Sequence, residues 1–183
     1  QMCIRDSLSS IMGFSENEIY MMKIAGYLHD LGKLAVPVEI LDKAASLNTE
    51  EFRIIRSHTY HTYRILENIT NLETINSWAA FHHETLDGSG YPFHLNKGEL
   101  SLGSRIMAVS DIFTAITEER PYRKGMDKRE SLKILKDMAK NNKIDTNIVS
   151  EVEKNFDEIS KARERAESAA EKDYKEYRKL FQE

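Results

Sequence analysis

The chain is poor in cysteine, proline and glycine. It has one Cys, three Pro and eight Gly in 183 residues. A single cysteine, Cys3, excludes an internal disulfide framework and any zinc site built on several thiolates. So few Gly and Pro argue against an all-β fold with many tight turns. No apolar run is long enough to cross a membrane, and no signal-peptide pattern is visible. The expected setting is therefore reducing and cytoplasmic. An excess of basic charge is also lacking. Lys and Arg number 26 against 30 Asp and Glu, for a net charge of −4. That balance excludes a general binder of DNA or RNA duplex. If the ligand carries phosphate, the positive charge must be local, from metal ions or a few placed side chains.

What is present is an ordinary globular composition, 40% hydrophobic and 31% charged. The apolar spacing is helical throughout, and no segment alternates convincingly with period two, so the expected class is all-α. Ser15 and Glu18 form a capping-box pattern ahead of Ile19, Met22, Ala25 and Leu28. That helix is expected to stop at Gly32. Asn48 and Glu51 open a second helix, expected to run to about Ile69. A third is expected over 72–83. The stretch Asp87-Gly88-Ser89-Gly90-Tyr91-Pro92 must be a loop. A nearly apolar helix over 102–117 reads as central. Further helices are expected from Asp127 and from Asp145 or Thr146, the latter continuing to Ile159. Residues 161–183 turn to Ala, Glu, Lys and Arg and read as a charged helical tail. Residues 1–7 match nothing that follows. They read as a non-native leader derived from adaptor sequence, leaving 8–160 as the folded domain, truncated at its N-terminus.

Five of the six histidines lie between His29 and His83. His29 precedes Asp30. His58 and His61 are three apart on one expected helix. His82 is followed by His83 and Glu84. Asp111 interrupts the apolar helix, where a carboxylate is costly unless paired or bound to a metal. Imidazole with carboxylate suits Fe, Mn, Co, Ni or Zn better than Ca or Mg. Neighbouring ligands on a helix point about 100° apart, so one of a pair can serve one ion while the other bridges to a second. Taken singly, each piece also has an ordinary reading: a helix-end pair, a surface His-His, an Asp satisfied by an Arg.

The chain order gives more. His29-Asp30-Leu31-Gly32-Lys33, His58, His82-His83-Glu84, Asp87-Gly88-Ser89-Gly90-Tyr91-Pro92, Asp111 and Arg120-Pro121-Tyr122-Arg123 together resemble the HD-GYP domain. This is the branch of the HD phosphohydrolase superfamily that degrades cyclic di-GMP. The resemblance covers about Ser15 to Phe156 and implies an all-helical bundle. It implies a metal-dependent phosphodiesterase that opens cyclic di-GMP to pGpG or carries it on to GMP. The metal ligands it implies are His29, Asp30, His58, His82, His83 and Asp111, with Asp30 bridging two divalent transition-metal ions, Fe or Mn. It implies that Asp30 and Lys33 act in catalysis, Lys33 by contacting substrate phosphate. It places Arg120 and Arg123 near a second phosphate, and Tyr91 in a loop that borders the site and is implicated in contacts with diguanylate cyclase domains. His61 and His94 match no ligand. Thr114 stands where three-metal relatives carry Glu, which favours two ions. A helix that usually precedes the His-Asp helix, with a further His, is expected to be missing. Three other readings stay open: a non-catalytic module of the same family, a relative acting on another nucleotide, and a helical scaffold whose tail mediates assembly.

Overall fold

The computed structural model describes residues 2–119 and 124–179, and among them it is helical with no strand. In chain order the helices are α1 (Met2–Ile11), α2 (Glu16–Leu28), α3 (Val38–Leu41), α4 (Thr49–Leu66), α5 (Glu73–Ala80), α6 (Leu102–Thr117), α7 (Lys128–Lys140), α8 (Thr146–Lys154) and α9 (Phe156–Lys179). A 3-10 turn, Leu31–Ala35, joins α2 to α3.

The expected starts are made by the expected chemistry. The Ser15, Asn48 and Asp127 side chains each accept from the backbone three residues on, and Glu18, Glu51 and Glu130 return the bond. Such caps satisfy helix-start amides that have no partner within the helix. α6 is the centre: Ile106, Met107, Val109 and Phe113 are wholly buried. α1, α5, α7 and α8 pack against it. Arg105, which with Asp111 makes up the charged residues of this mostly apolar run, leaves the core to pair with Asp145 at 3.2 Å and to donate to Leu100 O.

Four features differ from the sequence expectations. A helix does precede α2. α1 spans residues on both sides of position 7, buries Ile4 and Leu8 completely, and packs on α2, α6 and α9. α2 ends at Leu28, with His29 as its C-cap, rather than at Gly32. Gly32 instead serves a close approach, because a Cβ there would collide with the carbonyl of His58 on α4. α5 stops at Ala80, so His82 and His83 lie in the turn beyond it and not on a helix. The last expected helix is two: α8 ends at Lys154, with Asn155 as a C-cap whose side chain donates back to Glu151 O, and α9 starts at Phe156. α9 then runs unbroken into the charged tail, where Tyr174 and Tyr177 are more than half exposed. Among the described residues, no helix is long and apolar enough to cross a membrane.

Candidate metal centre

Four elements bring the chemistry together. The end of α2 supplies His29 and Asp30, α4 supplies His58, the turn after α5 supplies His82 and His83, and α6 supplies Asp111. The glycine at position 32 lets the turn after Asp30 lie against the backbone of α4. There the Gly32 amide donates to Thr62 Oγ1 at 2.9 Å, and that hydroxyl donates to His29 O at 3.1 Å. Thr62 is wholly buried. It fixes the backbone of the His-Asp pair to the helix that carries His58.

The rings are oriented from behind. His29 Nδ1 donates to Gly26 O at 2.8 Å, His58 Nδ1 to Ile55 O at 2.7 Å, and His82 Nδ1 to Ala79 O at 2.7 Å. A carbonyl can only accept, so each Nδ1 carries the proton. Each Nε2 of a neutral ring is then a bare lone pair. Two of these, on His58 and His82, face each other at 3.4 Å. Opposed lone pairs repel, and a cation between them removes the conflict. His83 joins them: nitrogen atoms of His58, His82 and His83 lie within 4.8 Å of one another. Burial pushes all four imidazoles below their ordinary value, His82 well below and His83 to about 3. They stay neutral, as ligands must.

Asp30 stands between the two halves of the cluster. Oδ2 is 3.4 Å from His29 Nε2, and Oδ1 is 3.5 Å from His58 Nε2. Burial works to raise this carboxyl. The 2.7 Å bond and charge of Lys33 Nζ work against it, and the group lies below its ordinary value, so it is ionised. Asp111 Oδ1 lies 3.7 Å from His29 Nε2. The donor set therefore fits divalent metal. Imidazole nitrogens and a carboxylate with one oxygen toward each half are the ligands such ions take.

Other sequence-derived positions fall around this cluster. Tyr91 is half-buried, its ring 4.9 Å from that of His83 and its amide donating to His83 O at 3.2 Å. Burial pushes its phenol up to about 12, so it remains a neutral donor. His61 turns its ring edge to Tyr60, and His94 is exposed on the loop. Thr114 donates to Ser110 O within its own helix. Arg120 and Arg123 lie outside the described residues.

Two residues of the site were not anticipated. Glu84 is 2% exposed. Its carboxylate accepts from the Phe93 amide at 2.7 Å and the Leu95 amide at 3.0 Å, clamping the Gly-Tyr-Pro loop one residue beyond the ligands. Its place in His82-His83-Glu84 was the available signal. Arg5 of α1 is 1% exposed. It donates to Gly26 O, and its Nη2 lies 3.4 Å from His29 Nε2 and 3.9 Å from Asp111 Oδ1. Ile4, Leu8 and Ile11 at helical spacing were the signal for its helix.

Comparison with known proteins identifies the family. The family model of the HD domain matches residues 4–148. The chain belongs to the HD domain family. Among curated relatives, 3'3'-cGAMP-specific phosphodiesterase 3 of Vibrio cholerae is 38% identical over 132 residues, covering 72% of this chain and 29% of the relative. Cyclic di-GMP phosphodiesterase PA4108 of Pseudomonas aeruginosa is 40% identical over 111 residues, covering 60% of this chain and 27% of the relative. The chain thus spans less than a third of the length of either. Among solved structures, Bd1817, an HDG"Y"P protein from Bdellovibrio bacteriovorus, superposes with a TM-score of 0.67 at 16% identity over 84% of this chain and 49% of that one. At that identity the likeness concerns the fold.

Proposed function

We propose that this HD domain hydrolyses a phosphodiester bond of cyclic di-GMP, giving pGpG or GMP. We further propose that His29, Asp30, His58, His82, His83 and Asp111 hold two divalent transition-metal ions, Fe or Mn, with Asp30 shared between them. The observation that carries the reading is the convergence of ring nitrogens of His58, His82 and His83, the first two rings locked from behind by a backbone carbonyl. When bound, a pair of divalent ions supplies an acidified water and electrophilic stabilisation of the phosphoryl oxygens.

The chain's own groups do the rest. Burial keeps the imidazoles neutral and the Lys33 bond keeps Asp30 ionised, so ligand protonation does not compete near neutral pH. The Lys33 side chain is 44% exposed, its Nζ beside Asp30, placed to hold an anionic phosphate oxygen at the mouth. The Tyr91 phenol supplies a neutral hydrogen bond from the loop. Arg120 and Arg123 are assigned to the second phosphate region on the resemblance alone. The Gly-Tyr-Pro loop, with Phe93 37% exposed, is the surface we assign to a diguanylate cyclase partner.

A second substrate, 3'3'-cGAMP, is favoured by the names of three relatives. Incubating the Mn- or Fe-loaded chain with each dinucleotide and separating products by chromatography tests both. Linear dinucleotide or mononucleotide is expected. No turnover of either by the metal-loaded chain overturns the reading.

A further inference from the structure

Arg56 sits on α4 two residues before His58 and points to neither acid nor core. Its guanidinium carbon lies 4.5 Å over the Phe52 ring and 4.9 Å over the Tyr91 ring. Tyr91 in turn lies 4.9 Å from the ring of His83. Phe52, Arg56, Tyr91 and His83 therefore form one continuous stack, from the exposed face of α4 to the ligand cluster.

Among the described residues, the other cations nearby each have a carboxylate partner. On the same helix, Arg53 pairs with Glu50 at 3.3 Å and Arg64 with Glu67 at 2.6 Å. Lys33 is tied to Asp30, and Arg5 lies between His29 and Asp111. Arg56 is exposed and makes no ion pair with a described carboxylate. Its contacts are with aromatic faces, which order a guanidinium without neutralising it. Its five N–H donors lie in the guanidinium plane, so a group held by its faces keeps its edge for a ligand. An ordered, unneutralised fork loses little freedom on binding an anion.

Resting on the cyclic-dinucleotide reading above, we propose that Arg56 is a substrate-binding residue, donating its guanidinium edge to the phosphodiester that is not being cleaved. A cyclic dinucleotide is a dianion whose two phosphodiesters lie apart on the macrocycle. Only one can occupy the metal centre at a time. A cation set off from that centre along the Tyr91 stack is placed for the other, the region assigned above to Arg120 and Arg123 as well.

The test is equilibrium binding of a hydrolysis-resistant phosphorothioate analogue of cyclic di-GMP to the metal-loaded chain, compared with Arg56→Ala and Arg56→Lys. A charge-assisted hydrogen bond contributes about 1.5–3 kcal/mol, so Arg56→Ala should weaken binding about tenfold or more. Arg56→Lys should recover part of the loss. The salt dependence of Kd should weaken in the alanine variant, because a screened charge–charge contact is lost, which a merely structural role would not produce. Metal content should match the parent in both variants. Binding within twofold of the parent, an unchanged salt slope, parallel loss of metal, or no binding by the parent chain overturns the proposal. Failure of turnover with Arg56-dependent binding intact counts against the hydrolase reading alone.

Discussion

Replacing Glu84 by Gln isolates the clamp that holds the Gly-Tyr-Pro loop against the ligand turn. The two carboxylate oxygens each accept one loop amide, Phe93 at 2.7 Å and Leu95 at 3.0 Å. Glutamine keeps one acceptor and presents an NH2 group to the other amide, so a buried donor faces a donor. Losing one hydrogen bond to a charged acceptor costs about 1.5–3 kcal/mol. Part of that is returned, because burial pushes the Glu84 carboxyl up and the ionised form is costly where it sits. The net loss should be about 1–2 kcal/mol. For a chain of this size that lowers Tm by roughly 2–8 °C. Thermal unfolding followed by circular dichroism reads the total. Amide exchange of Phe93 and Leu95 reads the place: one of the two should lose protection while amides of α6 keep theirs. An unchanged Tm with both loop amides still protected would refute the clamp.

Two further perturbations follow from the same geometry. Gly32→Ala places a methyl group against the His58 carbonyl and the Thr62 amide. It should cost about 3 kcal/mol and lower the metal content of the purified chain, whereas an unaltered Tm would show that the close approach can relax. Lys143 Nζ lies 2.6 Å from Asp87 Oδ2, and this bond is the largest influence holding the Asp87 carboxyl well below the usual range. A depressed carboxyl stabilises the folded loop above its unfolded value and loses that effect only as pH falls through the folded one. Titration by NMR should therefore find Asp87 ionised through the ordinary Asp range, and Lys143→Met should move its midpoint upward. Equal midpoints would contradict the assignment.

The helical class and most of the helix starts were legible in the sequence, because caps and period-3.6 stripes are local signals. Gly32 was misplaced for a tertiary reason: its need is the approach of α4, thirty residues away, and not a helix end. α1 was set aside because its residues resemble nothing downstream, yet Ile4 and Leu8 carry a helical stripe that the core buries. For the site, His29, Asp30, His58, His82, His83 and Asp111 could be nominated from their order. What could not be read was the rear support. The Nδ1 bonds to Gly26, Ile55 and Ala79, and the Thr62 tie between two helices, depend on geometry that spacing alone does not contain. Glu84 and the Arg56–Tyr91 contact were hidden for the same reason, since these partners lie in a loop that only the fold brings near.

The most direct test is anomalous diffraction from crystals of the chain grown with Mn. Two peaks are predicted within the group His29, Asp30, His58, His82, His83 and Asp111, one of them among His58, His82 and His83. Peaks only outside these six residues, or saturating metal with no peak among them, would contradict it.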